Sequence, residues 1–239
     1  GEARGLFYGY VTQGIGQKED ITENGIKYIK QDGSVGYYQT VNKTTPVAGD
    51  VKYVDRNGDG VVDDNDRDII GNPNPDFTYG FQTKVSWKSL SLSASFNGVQ
   101  GRDILNVGNR YNNTPGTKSN NVTRKAFQNM WTDENPSNLY PKSTFVVQNM
   151  VMDRYVEDGS YLRCSDITLS YVLPAKWTNK IGIKNTSVYA SVKNAFVITD
   201  YSGYDPEVNS FAFDGLRPGV DMNSYPTPRS FVFGLNLTF

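Results

Sequence analysis

The residues best suited to chemistry in this chain lie in the stretch DRNGDGVVDDND, which runs from Asp55 to Asp66. Oxygen-bearing residues recur there at alternate positions, and Gly60 stands where a metal-wrapping loop must turn sharply. Hard oxygen ligands at this spacing surround a single Ca²⁺. The predicted ligands are the side chains of Asp55, Asn57, Asp59, Asp63 and Asp66 and the carbonyl oxygen of Val61.

The stretch departs from the helix-flanked calcium loop in two ways. Its twelfth residue is Asp66 where that loop has glutamate, and the shorter side chain has less reach for a bidentate contact. The preceding GDVKYV reads as extended rather than helical. The alternative is an Asp- and Gly-rich turn held by its own hydrogen bonds. Either way we expect the stretch to stiffen a longer loop, not to sense calcium, and no cofactor is required.

The composition excludes several kinds of function. The 239 residues include no histidine, so Ser-His-Asp and Cys-His catalysis cannot occur within the chain, and a zinc site would lack imidazole. A net charge of −1 gives no electrostatic reason to bind nucleic acid. Cys164 is the single cysteine, which we interpret as a small packing residue. No motif singles out a catalytic carboxylate pair, so we predict no enzymatic activity.

The dominant hydrophobic period in the chain is two, which indicates β-strands. The clearest case is FTYGFQTKVSWKSLSLSASFNG, residues 77–98. A two-residue turn at Lys88 and Ser89 pairs Trp87 with Leu90 and places the apolar side chains of both strands on one face. A slip of one residue would mix the two faces, so this register is strongly specified.

The chain as a whole is predicted to be all-β, with antiparallel strands of an outer-membrane barrel and long extracellular loops. The predicted strands cover residues 77–87, 90–98, 161–173, 186–198 and 229–239, and the predicted long loops cover residues 1–76, 99–160 and 199–228. Ten residues of tilted strand cover roughly 25 Å of membrane normal, which matches the apolar band of such barrels. Helical signals are scarce, and the best candidate is Ser119 to Trp131.

Three of these strands, residues 77–87, 90–98 and 229–239, carry the apolar face expected to contact outer-membrane lipid. Its members are Phe77, Tyr79, Phe81, Val85, Trp87, Leu90, Leu92, Phe96, Phe231, Phe233, Leu235 and Leu237. The opposite face is rich in Ser, Gly, Gln and Asn, as a water-filled lumen permits, with Val232 as the exception. Aromatic residues lie at the ends of the apolar face, which is typical of membrane strands.

Several segments resemble one family. GDVKYVDRNGDGVVDDNDRDIIGNPNPDFTYGF is similar to a segment near the C-terminus of SusC/RagA-type TonB-dependent outer-membrane transporters. Further matches, in the family's order, are FYGYVTQGI, VEDGSYLRCSDITLSYVLP, VKNAFVITDYSGYDPEV and YPTPRSFVFGLNLTF. Together they cover most of the chain, while residues 101–149 match least.

The resemblance implies the C-terminal part of a large, plugged, 22-stranded barrel in the outer membrane of a Gram-negative bacterium, with the plug and the TonB-contacting segment outside this chain. It also implies import of oligosaccharides or peptides into the periplasm together with a SusD-like lipoprotein, with energy from TonB. The final strand, ending on Phe239, resembles the signal that the barrel-assembly machinery reads.

Aromatic residues in the predicted loops are candidates for contact with substrate or with the lipoprotein lid. They are Tyr111, Trp131, Tyr140, Tyr201, Tyr204 and Phe211, and packing within the loops is the alternative. A second hypothesis for the whole chain is a soluble, calcium-stabilised β-sandwich that binds glycans. That hypothesis accounts for the acidic loop and the aromatics, but not for the apolar last strand or the alternating loop lengths.

Overall fold

The computed structural model of the protein describes residues 1–40, 46–114, 121–143, 151–178, 183 and 185–238. Its strands are β1 (Phe7–Tyr10), β2 (Thr12–Ile15), β3 (Ile21–Thr22), β4 (Gly25–Ile29), β5 (Val35–Thr40), β6 (Val51–Tyr53), β7 (Val61–Val62), β8 (Arg67–Gly71), β9 (Phe77–Trp87), β10 (Leu90–Gln100), β11 (Asp103–Asn106), β12 (Val156–Asp158), β13 (Tyr161–Val172), β14 (Asn185–Thr199), β15 (Val220–Asp221) and β16 (Ser230–Thr238). The helices are α1 (Val107–Asn113), α2 (Arg124–Asn129) and α3 (Ala175–Thr178).

The chain folds into two compact units. One, the loop unit, comprises Gly1–Asn74, Asp103–Glu157 and Asn209–Ser224. The other, the sheet unit, comprises Pro75–Arg102, Asp158–Val208 and Tyr225–Phe239. The loop unit is thus assembled from the three segments that the sequence analysis interprets as long loops.

The sheet unit contains one antiparallel sheet of five strands in the lateral order β16-β14-β13-β10-β9. Lateral order follows chain order, so the sheet is an up-and-down meander. In the first hairpin Trp87 lies opposite Leu90 and Phe81 lies opposite Phe96, which confirms the register predicted from the sequence. Lys88 has a φ of 53°, as the first position of a tight hairpin turn requires.

A bulge at Ser165 interrupts β13, and the sequence analysis did not predict it. Asp166 lies opposite Ser95, but Cys164, two residues earlier, lies opposite the adjacent Phe96. The extra residue shifts the alternation of side chains by one position. Cys164 therefore shares the face of Ile167, and the side chain of Cys164 is fully buried.

The loop unit has short strands in several small sheets. They form the pairs β1-β8 and β2-β6, a three-stranded sheet ordered β12-β11-β15 and a four-stranded sheet ordered β3-β4-β5-β7. Its core is rich in tyrosine, and the buried hydroxyls have partners. The Tyr28 hydroxyl donates to the carbonyl of Asp55 at 2.9 Å, and the Tyr53 backbone N–H donates to the Tyr38 hydroxyl at 2.7 Å. Because of these hydrogen bonds, the tyrosine rings can be buried without leaving their hydroxyl groups unpaired.

The helix predicted for Ser119 to Trp131 is shorter in the structure. Helix α2 covers Arg124–Asn129, and the Thr123 hydroxyl caps it by accepting from the Ala126 N–H at 3.1 Å. Met130 has returned to extended backbone, which ends the helix there. Ser119 and Asn120 lie outside the described residues.

Across the parts of the chain that the structure describes, no helix has the length and apolar character needed to cross a membrane.

Candidate functional site

The five-stranded sheet has two chemically different faces. One continuous row of paired positions on the apolar face runs Val85, Leu92, Leu169, Ala190 and Phe233 across all five strands. Val85 is 64% exposed and Phe233 is 79% exposed. Ordinary water-soluble proteins rarely leave so large a contiguous apolar surface open.

All twelve residues predicted to face lipid lie on β9, β10 and β16, and the cross-strand pairing places them on this same face. Eleven of them are exposed in the chain and Phe96 is half-buried. Phe96 stacks on Phe81 with the ring centroids 4.5 Å apart. The pairing therefore gathers the predicted residues into one surface, and lipid contact itself stays a prediction.

The opposite face carries a hydrogen-bonded polar network. Lys193 Nζ lies 2.6 Å from Asp166 Oδ2, and the Ser191 hydroxyl donates to the same oxygen at 2.8 Å. Thr168 donates to Asp166 Oδ1 at 2.8 Å. These residues sit on β13 and β14 beside Ser93 and Ser95 of β10. Such a face suits a wet lumen or a polar plug, because the charges of the network, on Asp166 and Lys193, are paired with each other.

A buried arginine on β13 anchors the segment that follows β14. The Arg163 guanidinium lies 2.5 Å from Asp205 Oδ1 and 2.9 Å from Glu207 Oε2. The Tyr161 hydroxyl donates to Glu207 Oε1 at 2.6 Å. Burial acts to raise the pKa of Asp205, but backbone N–H donors and the Arg163 guanidinium together hold that pKa below its usual value. This cluster was not predicted from the sequence, because its contacts join residues that are 42 and 46 positions apart.

The acidic stretch from Asp55 to Asp66 folds as a tight loop, and its carboxylates accept backbone N–H groups. Asp55 Oδ1 accepts from Gly58 at 2.7 Å, and Asp55 Oδ2 accepts from Gly60 at 2.9 Å. Asp66 accepts from the N–H of Arg56 at 2.7 Å and from that of Asp63 at 2.8 Å. Gly60 has a φ of +83°, which confirms the sharp turn predicted there.

The remaining predicted ligands of the loop are turned toward their own backbone. Asn57 Oδ1 accepts from the Asp59 N–H at 2.9 Å, Asp59 Oδ1 from the Val61 N–H at 2.9 Å, and Asp63 Oδ1 from the Asn65 N–H at 2.8 Å. Among the described residues, no group of three or more His, Cys, Asp or Glu side chains is arranged to hold a metal ion. Calcium binding therefore stays a prediction.

The two ends of this loop each carry a buried carboxylate. Asp55 and Asp66 are both buried, and neither forms an ion pair with a residue that the structure describes. Burial raises the pKa of Asp66, and the charge of Asp55 raises it further, against the backbone N–H groups that lower it. Burial likewise raises the pKa of Tyr28 to about 12, with both carboxylates adding to the effect.

The six aromatic residues predicted to contact substrate or lid differ in their surroundings. Trp131 is only 8% exposed, and its indole N–H donates to Gln17 Oε1 at 3.0 Å. Tyr201 is buried as well, whereas Tyr204 is 74% exposed. Tyr111, Tyr140 and Phe211 are half-buried. Tyr204 therefore offers the most ring surface for stacking, and Trp131 and Tyr201 offer little. Phe239, the predicted assembly signal, lies outside the described residues.

Comparison with curated proteins gives several similar receptors. The chain is 35% identical over 201 residues to TonB-dependent receptor P26 of Formosa agariphila, a match that covers 81% of this chain and 20% of that receptor. It is 33% identical over 244 residues to TonB-dependent receptor P3 of the same organism, covering all of this chain and 22% of that receptor. It is 34% identical over 194 residues to TonB-dependent receptor SusC of Bacteroides thetaiotaomicron, covering 78% of this chain and 17% of SusC.

Comparison with solved structures gives the same kind of protein. The RagAB peptide importer in its open-open state matches 98% of this chain and 22% of its own chain, with a TM-score of 0.67 and 25% identity. A second RagAB peptide transporter structure shares the fold, with a TM-score of 0.68 and 24% identity. The chain spans about a fifth of the length of the curated relatives it matches. No family model matches it.

Proposed function

We propose that this chain, which belongs to the SusC/RagA-type TonB-dependent receptors, forms part of the wall and outer loops of an outer-membrane transporter. The observation that carries the proposal is the two-faced meander of the sheet unit. Its apolar face is open across all five strands, while its other face holds a satisfied polar network. Barrel strands require this division, because lipid lies on one side and water or a plug on the other.

The edges of the sheet support the same proposal. Strands β9 and β16 form the two edges and are 11 and 9 residues long. Long open edges invite aggregation in a soluble protein, whereas a closed barrel pairs every edge with a neighbouring strand. A soluble glycan-binding sandwich would also have to bury Val85 and Phe233, both of which are exposed here. The transporter is therefore the better explanation, and it assigns the chain no catalytic step.

The substrate we propose is an oligosaccharide or a peptide that is imported into the periplasm. RagAB, whose structure is similar, is described as a peptide importer. We propose that a SusD-like lipoprotein covers the receptor, that TonB supplies energy through regions outside this chain, and that the barrel-assembly machinery inserts it in a Gram-negative outer membrane.

Calcium in the loop from Asp55 to Asp66 is part of the proposal. Both carboxylate oxygens of Asp55 and Oδ2 of Asp66 each accept one backbone N–H and keep a further lone pair for a cation, whereas Asp66 Oδ1 accepts two. A bound cation would also neutralise two buried charges that have no basic partner in the part of the chain that the structure describes. Its role would be to stiffen the loop unit.

The proposal is tested by uptake in cells that carry the complete receptor. Fluorescently labelled peptide and oligosaccharide mixtures are supplied, and periplasmic fluorescence is measured with and without TonB and with and without the partner lipoprotein. We expect TonB-dependent entry of one of the two mixtures. Entry of neither mixture, or entry that does not depend on TonB, would overturn the transport function.

A further inference from the structure

A cavity of about 230 Å³ lies within the loop unit, near helices α1 and α2. Its chemically active lining consists of two cations, two tyrosines and two carboxamides: Lys125, Arg154, Tyr140, Tyr155, Asn109 and Asn113. No acidic side chain is among its described lining residues. Leu139 at its rim is exposed, so the cavity opens to the surface of the unit. The cavity is thus a place where positive charge is concentrated without compensation.

Arg154 is the best-placed cation in this cavity. It lies in a short 3-10 turn, and its Nη2 donates to the carbonyl of Leu139 at 2.5 Å. Its Nη1 is buried and, within the described structure, has no hydrogen-bond partner. The neighbouring carboxylate of Asp153 is turned away, because it accepts from the Thr12 N–H at 3.1 Å and from the Thr12 hydroxyl at 2.6 Å. Buried polar groups in folded proteins nearly always have a partner, so Arg154 Nη1, which has no acceptor among the described residues, is a candidate donor to a ligand oxygen.

Further donors surround this unsatisfied guanidinium. Lys125 lies on α2 and forms no ion pair with any residue that the structure describes. The Asn113 side-chain amide donates one N–H to Asn109 and retains a second. The Glu157 carboxylate accepts through Oε1 from the side-chain amides of Asn106 and Asn109, each at 3.0 Å. Donors therefore exceed acceptors in the cavity wall.

We propose that this cavity binds the carboxylate group of a small ligand. A guanidinium matches the planar geometry of a carboxylate and forms the stronger, charge-assisted hydrogen bonds. The Tyr155 ring, whose centroid lies 5.7 Å from the Arg154 guanidinium carbon, and the Tyr140 ring give the remainder of the ligand an apolar wall. The volume is below the range of about 300–1,000 Å³ for drug-sized ligands, so the cavity takes one terminal group rather than an oligomer.

Two ligand classes present such a carboxylate. One is a short peptide with a free C-terminus, and the other is an oligosaccharide that contains a uronic acid. Binding at the cavity does not depend on transport, but any part that the site plays in import rests on the function proposed above.

The test is calorimetric titration of the complete detergent-solubilised receptor with two matched pairs of probes. One pair is acetyl-Ala-Ala and its C-terminal amide, and the other is digalacturonate and the corresponding neutral disaccharide. We expect one acid to bind at least tenfold more tightly than its neutral partner, as a charge-assisted contact predicts. The acid that does so identifies the ligand class.

Variants locate the binding within the cavity. Arg154→Gln is expected to weaken binding of that acid by about tenfold or more, and Lys125→Met by about threefold, since Lys125 is exposed and screened. Arg124→Gln, on the same helix but outside the cavity lining, is expected to leave the affinity unchanged. Because Lys125 is exposed, Lys125→Met keeps the test informative even if Arg154→Gln fails to fold.

Equal affinity for each acid and its neutral partner would overturn the proposal, as would an acid preference that persists in both Arg154→Gln and Lys125→Met. A receptor that binds the acid with this dependence but imports nothing would support the site and contradict the transport function. A receptor that imports peptides or oligosaccharides without any acid preference would support the transport function and contradict the carboxylate site.

Discussion

The two units of this chain use apolar residues in opposite ways. In the sheet unit Val85 and Phe233 are exposed on a continuous face, whereas in the loop unit Ile26 and Tyr28 are fully buried. Strands of the sheet unit are 9 to 15 residues long, and those of the loop unit are 2 to 6. The difference indicates that the loop unit buries its apolar residues in a core of its own. The sheet unit does not, so its apolar face needs a nonpolar environment outside the chain.

Loss of Asp205 is expected to have the largest effect, because it leaves the buried Arg163 guanidinium short of a partner. Breaking a buried ion pair from one side costs about 3–5 kcal/mol, so Asp205→Ala should lower the free energy of unfolding by about that amount. Glu207→Gln is the matched control, since Glu207 is more exposed and its loss should cost less. Chemical denaturation of the receptor at pH 7 measures both. If both variants lowered the free energy of unfolding by the same small amount, Asp205 would not anchor the segment that follows β14.

The same pair gives a pH dependence with a defined sign. The pKa of Asp205 is lowered in the folded chain, so its contribution is complete above the unfolded value of about 3.9 and is lost as the pH falls through the folded pKa. The stability difference between the original chain and Asp205→Ala should therefore narrow below about pH 4. If the stability difference between the original chain and Asp205→Ala stayed constant from pH 7 to pH 3, titration of Asp205 would not contribute to the stability of the fold.

The core of the loop unit is tested by truncating a buried side chain. Ile26→Ala should reduce the free energy of unfolding by about 2–5 kcal/mol, because it removes apolar contacts and leaves a cavity. Ile29→Ala on the same strand should change it by less than about 0.5 kcal/mol, since Ile29 is 44% exposed. Hydrogen exchange of the β4 amides reports the local effect. Similar costs for the two variants would show that the loop unit lacks a core of its own.

The exposed face of the sheet unit is tested by adding charge. Phe81→Arg should destabilise the receptor in lipid vesicles by about 2–4 kcal/mol, the cost of a basic side chain near the bilayer midplane, since Phe81 lies close to the middle of β9. Ser86→Arg on the opposite face of the same strand should cost much less, because that face meets water or polar groups. Urea titration in vesicles measures the two. Equal costs would mean that the faces do not differ in their surroundings.

Calcium is expected to have the smallest effect, and to act on the loop unit alone. At 100 times its Kd, Ca²⁺ should raise the free energy of unfolding of that unit by about 2.7 kcal/mol, and Asp55→Asn should remove the gain. Mg²⁺ at the same concentration is the matched control. Calorimetry with and without a chelator makes the measurement. An unchanged melting profile would favour the alternative, a turn held only by its own hydrogen bonds.

The hairpin from Phe77 to Gln100 was predictable because its determinants are local. Alternation of side chains and a two-residue turn specify its register without any distant contact. The bulge at Ser165 was not predictable, because one extra residue leaves little mark on a period-two pattern. It determines which residues of β13 face the polar side, and Arg163 is among them.

The loop unit was predicted only as loops, since its organisation depends on contacts that are distant in sequence. Leu105 pairs with Val220, and Thr12 pairs with Tyr53, through strands too short to show a period. Trp131 illustrates the consequence for the candidate site. Its place in a predicted loop left contact with substrate or lid and packing within the loop as alternatives, and its hydrogen bond to Gln17 and its burial favour packing.

The most direct test of the account is a set of spin labels placed singly on the apolar face of the sheet unit, in the receptor reconstituted into liposomes. The labelled positions are Phe81, Val85, Leu92, Phe96 and Phe233, with Gln82 and Ser86 as controls on the opposite face. Relaxation by oxygen, which partitions into lipid, is compared with relaxation by a water-soluble metal complex. If this face contacts lipid, oxygen should dominate the relaxation at all five positions and not at the two controls. Labels at all five positions that are shielded from both agents would mean a packed protein core, and would contradict the assignment of this face to the barrel exterior.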